Sequence, residues 1–389
     1  MYLFLITFLT LYGGMHLYAF LRLRDLFRPR RLLTWFLTLW MVVMTIIPLL
    51  VRAAEQFGNQ NTARLIAWPG YLWMGFLFIF ITLLLFTDLL RLVYRFAVFQ
   101  LSRSVPKNAT SRIFCGVALV LALVATVYAF FEADQIRSEH VVLTSSKLLP
   151  STPRIRIVQI SDVHIGLLLQ EVRMQRIIEM IREAGPDILV STGDLVDGKL
   201  NRDDALSEFT PLAAVLASVP APSGKYAVIG NHEVYAGLSQ AAAFTRAAGF
   251  TLLRNRSITL ANGMTISGVD DIAAYPRGYD NTATETALLA TVSPNSFHLL
   301  LKHRPEIPPQ SDGRFDVQLS GHVHGGQLFP FNYLVKLKYP IPCGTTSTQT
   351  GSQIHVSRGT GTWGPPMRLF VPPEITIIDV IPQTPNTAR

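Results

Sequence analysis

The sequence is poor in cysteine, and acidic residues are scarce in its first third. Cys115 and Cys343 are the only cysteines among 389 residues, which excludes a disulfide framework and a paired-cysteine metal knuckle. Residues 1–131 contain twelve Lys or Arg and three acidic residues, a net charge of +9, whereas residues 132–389 contain twenty-two and twenty-three, a net charge of −1. The basic excess therefore belongs to the first third, and no nucleic-acid partner is expected for the rest.

The first third also lacks charge over long runs. Four apolar stretches have close to the ~20 residues that a bilayer core requires. They are residues 2–20, 33–51, 71–90 and 113–131. A buried core helix is the alternative for any single stretch, but four in series favour membrane spans. We interpret residues 1–131 as a four-helix transmembrane region of a multi-pass protein of the cell (inner) membrane.

The connections between these stretches differ in charge. The first connection contains five arginines between residues 22 and 31, and the third contains four arginines and one lysine between residues 91 and 112. The second contains only Arg52 and Arg64. Because Lys and Arg near spans are retained in the cytoplasm, the first and third connections are expected inside. The domain after residue 131 is then predicted to be extracytoplasmic.

Residues 151–389 differ in pattern from the first third. They contain short runs rich in β-forming residues, separated by Gly, Pro, Asn and Asp, with amphipathic stretches between them. Strands are predicted at 154–160, 187–191, 226–229, 264–269, 298–301, 317–319, 354–356 and 375–380. Helices are predicted at 168–184, 203–218 and 238–248. The early β-α-β-α-β order indicates an α/β domain with a largely parallel sheet, and residues 132–150 are interpreted as a polar linker.

Polar clusters follow the predicted strands, at the edge where open α/β sheets bind ligands. The clusters are Asp162-Val163-His164, Gly193-Asp194, Gly230-Asn231-His232-Glu233, Lys302-His303 and Gly321-His322-Val323-His324. In Asp-x-His and His-x-His both side chains leave the same side of an extended segment. This mixture of carboxylate, amide and imidazole donors suits Mn²⁺, Fe or Zn²⁺ better than Ca²⁺ or Mg²⁺.

The order of these clusters resembles the calcineurin-like metallophosphoesterase superfamily. The surrounding sequences resemble its membrane-associated bacterial branch, the YkuE-type phosphoesterases, over about residues 150–380. These sequences are Gln159-Ile160-Ser161-Asp162-Val163-His164, Gly193-Asp194-Leu195-Val196-Asp197, Gly321-His322-Val323-His324-Gly325-Gly326-Gln327 and Ser357-Arg358-Gly359-Thr360-Gly361. The resemblance implies a four-layer α/β/β/α sandwich that carries two divalent metal ions.

The resemblance also implies a role for each site residue. Asp162, His164 and His324 would bind one ion, and Asp194 would bridge both. Asn231, His303 and His322 would bind the other ion, while His232 would stay unligated and act on the scissile phosphate. We expect His232 to be a catalytic acid, with orientation of Asp162 or of a water molecule as the alternative. Two features depart from the family pattern: Glu233 stands where many members have Asp, and His303 lies in a variable context.

The expected activity is hydrolysis of a phosphate ester or pyrophosphate by metal-activated water, on a lipid or envelope substrate. Arg358 is a candidate for phosphate binding, with a surface salt bridge as its alternative. The aromatic stretch 328–340 either meets the membrane or packs against its own domain. Two other functions are open, a soluble nucleotide or cyclic-nucleotide phosphodiesterase and a catalytically inert membrane sensor or transporter.

Overall fold

A computed structural model describes residues 2–27, 31–100, 109–149, 151–168, 171–198 and 203–383. The chain forms two compact units. The helical unit comprises Met1–Glu132 together with Gly364–Leu369, and the α/β unit comprises Ala133–Trp363 and Phe370–Arg389.

The helical unit contains α1 (Tyr2–Phe27), α2 (Arg31–Gln56), α3 (Gln60–Gln100) and α4 (Ala109–Glu132). Three described stretches are long and apolar enough to cross a membrane, namely Arg31–Gln56, Gln60–Val98 and Arg112–Glu132. Three of the four predicted spans are thus confirmed in length and composition. Helix α1 is not confirmed as a fourth, and charged residues occupy its last two turns, where Arg22, Arg24 and Asp25 lie.

Two features tie the helical unit together. Asp88 on α3 accepts a hydrogen bond from the Tyr18 hydroxyl at 2.5 Å and forms an ion pair with Arg22 at 3.0 Å, which links α3 to α1. The short segment Gly364–Leu369 also packs within this unit, since the Arg368 backbone N–H donates to the Ala129 carbonyl at 2.8 Å. The partly buried Asp88–Arg22 ion pair compensates the charge of a carboxylate on an apolar helix.

The described part of the α/β unit forms two six-stranded sheets. The strands are β1 (Arg137–Ser145), β2 (Ile155–Ile160), β3 (Ile188–Ser191), β4 (Lys225–Ala227), β5 (Thr251–Leu252), β6 (Arg256–Thr259), β7 (Thr265–Val269), β8 (His298–Lys302), β9 (Val317–Ser320), β10 (Gly344–Ser347), β11 (Gln353–Val356) and β12 (Glu374–Pro382). The first sheet has the order β1-β12-β2-β3-β4-β5, and the second has the order β10-β11-β9-β8-β7-β6. Strands β2, β3 and β4 are parallel neighbours, as are β8 and β9.

Among the described residues, five α-helices complete this unit: α5 (Glu171–Ala184), α6 (Asp203–Ala217), α7 (Asn231–Ala247), α8 (Thr282–Ala290) and α9 (Phe331–Lys338). One core joins α5, α6 and α7 to the first sheet and includes Ile177, Phe244 and Val158. A second core joins the two sheets through residues such as Ile157 and Leu299. The fold is therefore a mixed α/β architecture in which a shared apolar core joins the two sheets.

All eight predicted strands are present, as β2, β3, β4, β7, β8, β9, β11 and β12. Predicted helices 168–184 and 203–218 correspond to α5 and α6. Helix α7 begins seven residues before the predicted start at 238, across a kink at Gly237, whose φ of 119° interrupts the helical pattern. The mixed α/β prediction is confirmed.

The linker prediction for 132–150 is wrong for residues 137–145. They form β1, which pairs in parallel with β12 in the register Arg137↔Glu374. Most side chains of β1 are exposed. This strand lies at the edge of its sheet, so its backbone pairing with β12 compensates for a sequence without strong apolar alternation.

Candidate metal centre

The predicted metal-binding residues lie together although they are far apart in the chain. Asp162 and His164 follow β2, Asp194 follows β3, His303 follows β8, and His322 and His324 follow β9. The structure brings them into two groups. Within each group, the ligand atoms lie within 4.8 Å of one another. The first ligand group is Asp162, His164 and His324, and the second ligand group is Asp194, His303 and His322.

The first ligand group is buried and tightly packed. The Nε2 atoms of His164 and His324 are 3.1 Å apart, and His324 Nε2 is 3.5 Å from an Asp162 oxygen. Asp162 also accepts a hydrogen bond from the His322 backbone N–H at 3.0 Å. Two imidazole nitrogens and a carboxylate that converge in this way form a typical donor set for a transition-metal ion.

The second ligand group also contains one carboxylate and two imidazoles, but its side chains contact one another in a different order. His303 Nε2 is 3.1 Å from Asp194 Oδ2, and His322 Nδ1 is 3.2 Å from His303 Nε2. His303 also donates from Nδ1 to the Thr192 carbonyl at 2.8 Å. A hydrogen bond to a backbone carbonyl fixes the orientation of the ring, as is usual for a histidine that binds metal.

The backbone of both groups is held in an unusual conformation. Asp162, His164, Asp194, His322 and His324 have φ between 50° and 73°. Non-glycine residues rarely adopt this left-handed region, and such strain concentrates at functional sites. The extended Asp-x-His and His-x-His geometry predicted from sequence is therefore wrong, although the side chains still converge.

Two glycines permit this convergence. A Cβ on Gly321 would collide with the Ser161 hydroxyl and an Asp162 carboxylate oxygen. A Cβ on Gly230 would collide with Asp194 and would lie 2.8 Å from His303 Nε2. The glycines of these motifs are thus explained by the close approach of backbone to ligand side chains.

His232 adjoins the ligands and is held by Asp197. Its Nδ1–H donates to Asp197 Oδ1 at 2.8 Å, and its ring centre is 4.7 Å from that of His164. Burial lowers the pKa of His232, but the hydrogen bond to Asp197 and the charge of Asp194 outweigh burial and raise it to about 9. The same Asp197 oxygen accepts from the Gly198 N–H, so Asp197 both orients His232 and closes a turn.

Glu233 has a role that the sequence analysis missed. Its buried carboxylate accepts hydrogen bonds from the backbone N–H groups of Asp194, Leu195 and Gly230 at 2.9, 2.6 and 2.7 Å. Glu233 thereby joins the loops after β3 and β4, which carry Asp194 and Asn231. The signal in the sequence is its place in the third position of α7, where a glutamate reaches back to the helix start.

The residues present fit a pair of divalent cations. The buried Asn231 Oδ1 and His164 Nδ1 have no hydrogen-bond partner, and an amide oxygen without a donor is an available ligand. Burial and the neighbouring charge of His232 lower the pKa of His164 to about 4, which keeps its imidazole in the neutral form that binds metal. Asn231 directly follows Gly230, and Asp194 and His303 of the second ligand group contact the same glycine. The Asn231 amide is therefore close enough to add a ligand oxygen to the second group.

Arg358 has two acidic partners. Its guanidinium pairs with Glu139 at 3.0 Å and with Glu374 at 2.5 Å. Its aliphatic stem lies beside Gly325, one residue after His324. These pairs agree with the salt-bridge alternative, and substrate binding by Arg358 stays a prediction.

Comparisons with known proteins agree with this site. Residues 155–326 match the family of calcineurin-like phosphoesterases. The chain is 37% identical over 263 residues to an uncharacterized metallophosphoesterase of Aquifex aeolicus, covering 67% of this chain and 98% of that protein. It is 31% identical over 258 residues to the metallophosphoesterase YkuE of Bacillus subtilis, covering 64% and 86%.

The name of a third relative refers to a transmembrane protein. The chain is 32% identical over 277 residues to a transmembrane protein with metallophosphoesterase domain of Danio rerio, covering 67% of this chain and 61% of that protein. Identity above 30% over nearly the whole Aquifex protein establishes the family. The chain therefore belongs to the calcineurin-like metallophosphoesterases, a family with a dinuclear metal centre, and is a metal-dependent phosphoester hydrolase.

Proposed function

We propose that this protein is a membrane-anchored phosphoesterase that hydrolyses a phosphate ester or pyrophosphate of a lipid or envelope substrate. The observation that carries the proposal is the pair of adjoining ligand groups, each with one carboxylate and two histidines, in a chain that also has three apolar helices of membrane-spanning length. The core clusters on both faces of the first sheet support the four-layer sandwich expected for such an enzyme.

The proposed ligand roles follow the two groups. Asp162, His164 and His324 would hold one ion, and His303 and His322 would hold the other together with the Asn231 amide oxygen. Asp194 would serve both ions: its Oδ2 lies 3.1 Å from His303 Nε2 in the second group, and its backbone carbonyl accepts the N–H of His164 in the first at 3.0 Å. When bound, two divalent ions of Mn, Fe or Zn would polarise the phosphoryl oxygens and lower the pKa of a water molecule.

The chain itself supplies the proton for the leaving group in this proposal. Asp197 holds His232 through Nδ1, and this hydrogen bond to a carboxylate stabilises the protonated ring. A protonated imidazole next to the metal ligands can donate to the leaving oxygen as general acid. His232 is therefore the proposed catalytic acid, and Asp197 the positioning residue that sets its tautomer.

The proposed extracytoplasmic location does not depend on helix α1. The third connection, with four arginines and one lysine between residues 91 and 112, is expected in the cytoplasm, and α4 then leads out of the cytoplasm. Whether α1 is a fourth span changes the side of the amino terminus but leaves the α/β unit outside. A reporter active only in the cytoplasm, fused to the carboxyl terminus, is expected to be silent, and an active fusion would contradict this topology.

Hydrolysis assays test the proposed substrate. Purified full-length protein with Mn²⁺ is expected to cleave p-nitrophenyl phosphate or its bis ester, and to cleave a lipid pyrophosphate with a higher kcat/KM. The Asp194→Asn variant serves as the inactive control. Activity on nucleotides alone would refute the lipid substrate, and equal inactivity of the wild type and Asp194→Asn with metal present would refute the enzyme.

A further inference from the structure

Helix α9 exposes an apolar face beside the metal centre. Tyr333, Leu334 and Leu337 are 59%, 58% and 83% exposed. Because residues three and four apart lie on one side of a helix, these three side chains form a single surface, here called the α9 face. An exposed apolar surface next to a functional site indicates a partner that covers it.

The opposite side of α9 is fixed to the site. Val335 packs against the small core that contains Val323 and Ile354. Tyr339, directly after the helix, is buried and places its ring edge-on to His322 with centroids 5.6 Å apart. The position of the α9 face relative to the second ligand group is therefore set by packing.

The charge around the α9 face indicates which partner it fits. Lys336 and Lys338 are exposed on the same helix, and residues 328–343 contain no acidic residue. An amphipathic helix with apolar and tyrosine side chains on one face and lysines beside them is typical of the interface of an anionic bilayer. A protein partner would require acidic groups opposite the lysines, whereas phosphate headgroups are present at every membrane surface.

We propose that the α9 face inserts into the interfacial layer of the membrane that the chain's own apolar helices span. Tyr333, Leu334 and Leu337 would lie among the upper acyl chains, and Lys336 and Lys338 would contact lipid phosphates. The second ligand group is then held at headgroup level, where a phosphate on a lipid reaches it without leaving the bilayer. Only this last consequence rests on the proposed function.

The insertion is tested without any assay of catalysis. In the full-length chain with Cys115→Ala and Cys343→Ser, a nitroxide label is placed at Leu337→Cys or, as the matched control, at Val172→Cys on α5, which is 75% exposed. In liposomes of phosphatidylethanolamine and phosphatidylglycerol, the label at 337 is expected to collide with lipid-soluble oxygen and to be shielded from a water-soluble nickel complex. The label at 172 should show the reverse.

Equal access of the nickel complex to both labels would overturn the insertion. A label at Leu334→Cys repeats the measurement if the first variant fails to fold. These outcomes are independent of the proposed function, because the label reports its surroundings even in an enzyme that is inactive on every phosphate tried.

A second measurement tests the consequence for substrate. In the double variant Leu334→Ser, Leu337→Ser, the helix loses the free energy gained when two leucine side chains transfer from water into the membrane. The ratio of vesicle-bound lipid phosphate hydrolysis to p-nitrophenyl phosphate hydrolysis is expected to fall about tenfold. Val172→Ser is the control and should leave the ratio unchanged. An unchanged ratio in the double variant would overturn the role of the α9 face in substrate access.

Discussion

The two ligand groups contain the same residue types but hold their protons differently. In the first ligand group, burial and the charge of His232 lower the pKa of His164 to about 4. In the second ligand group, burial lowers the pKa of His303, but the carboxylate of Asp194 outweighs it and raises the pKa to about 10. A cation entering the second group must therefore displace a proton from His303, whereas His164 in the first group is neutral.

The difference arises from geometry. Asp194 lies 3.1 Å from His303 and stabilises its protonated form, whereas the Asp162 carboxylate is used by Ser161 and the His322 backbone. Burial raises the pKa of Asp162 to about 6. Two sites of like composition can thus differ in affinity and in pH dependence because of one carboxylate–imidazole pair.

The largest expected effect comes from the carboxylate that would serve both groups. Asp194→Asn should lower kcat/KM for p-nitrophenyl phosphate at least about a thousandfold, because several kcal/mol of charge stabilisation depend on both ions. The exposed Asp280→Asn is the matched control and should retain full activity. Activity of Asp194→Asn within tenfold of the wild type would show that the two groups do not act through this residue.

A smaller loss is expected when one group is damaged alone. His164→Ala and His322→Ala should each lower activity about a hundredfold or more, and each should bind one metal ion fewer per chain. Metal content by mass spectrometry measures the difference, with the exposed His140→Ala as control. If either variant kept two ions, its group would not be a separate metal site.

His232→Ala tests whether the residue beside the first ligand group is an acid or a ligand. The rate should fall about a hundredfold with metal content unchanged. The loss should be greater for phenyl phosphate than for p-nitrophenyl phosphate, because the poorer leaving group depends more on the donated proton. Asp197→Asn should cause a smaller loss with the same dependence on the leaving group. Loss of an ion from His232→Ala would instead make His232 a ligand.

The smallest effect on the rate, and the sharpest test of the difference between the groups, is the pH dependence of metal binding. Below its pKa of about 10 His303 is protonated, so affinity at the second group should fall about tenfold per pH unit as pH decreases from 9 to 7. Affinity at the first group should stay constant until pH falls to about 6, the pKa of Asp162. Mn²⁺ titrations at several pH values would measure both, and a parallel weakening would show that the groups titrate alike.

The sequence predicts that the side chains of the candidate metal centre come together because these residues follow strands. Asp162 and Asp194 each come directly after an apolar run, and the parallel pairing of β2 and β3 brings their loops to one edge. His303 follows β8 in the second sheet, so strand order in one sheet does not bring it to Asp194, and its place in the site is predicted only from the family resemblance.

Other features depend on contacts that local sequence does not contain. Strand β1 has mostly exposed side chains and is defined by backbone pairing with β12, more than 200 residues later. The carboxylate of Glu233 accepts hydrogen bonds from backbone N–H groups of two loops. Arg358 forms ion pairs with Glu139 and Glu374, which belong to other parts of the chain. Such pairings are fixed by the tertiary fold, so a linear pattern cannot predict them.

The most direct test of a two-ion phosphoester hydrolase is a metal titration with activity measured in the same samples. Full-length protein stripped by chelator would receive increasing Mn²⁺, and bound metal and p-nitrophenyl phosphate hydrolysis would be recorded together. We expect two ions per chain, with hydrolysis that follows the binding of the second. Full activity with one ion bound, or with none, would contradict the account.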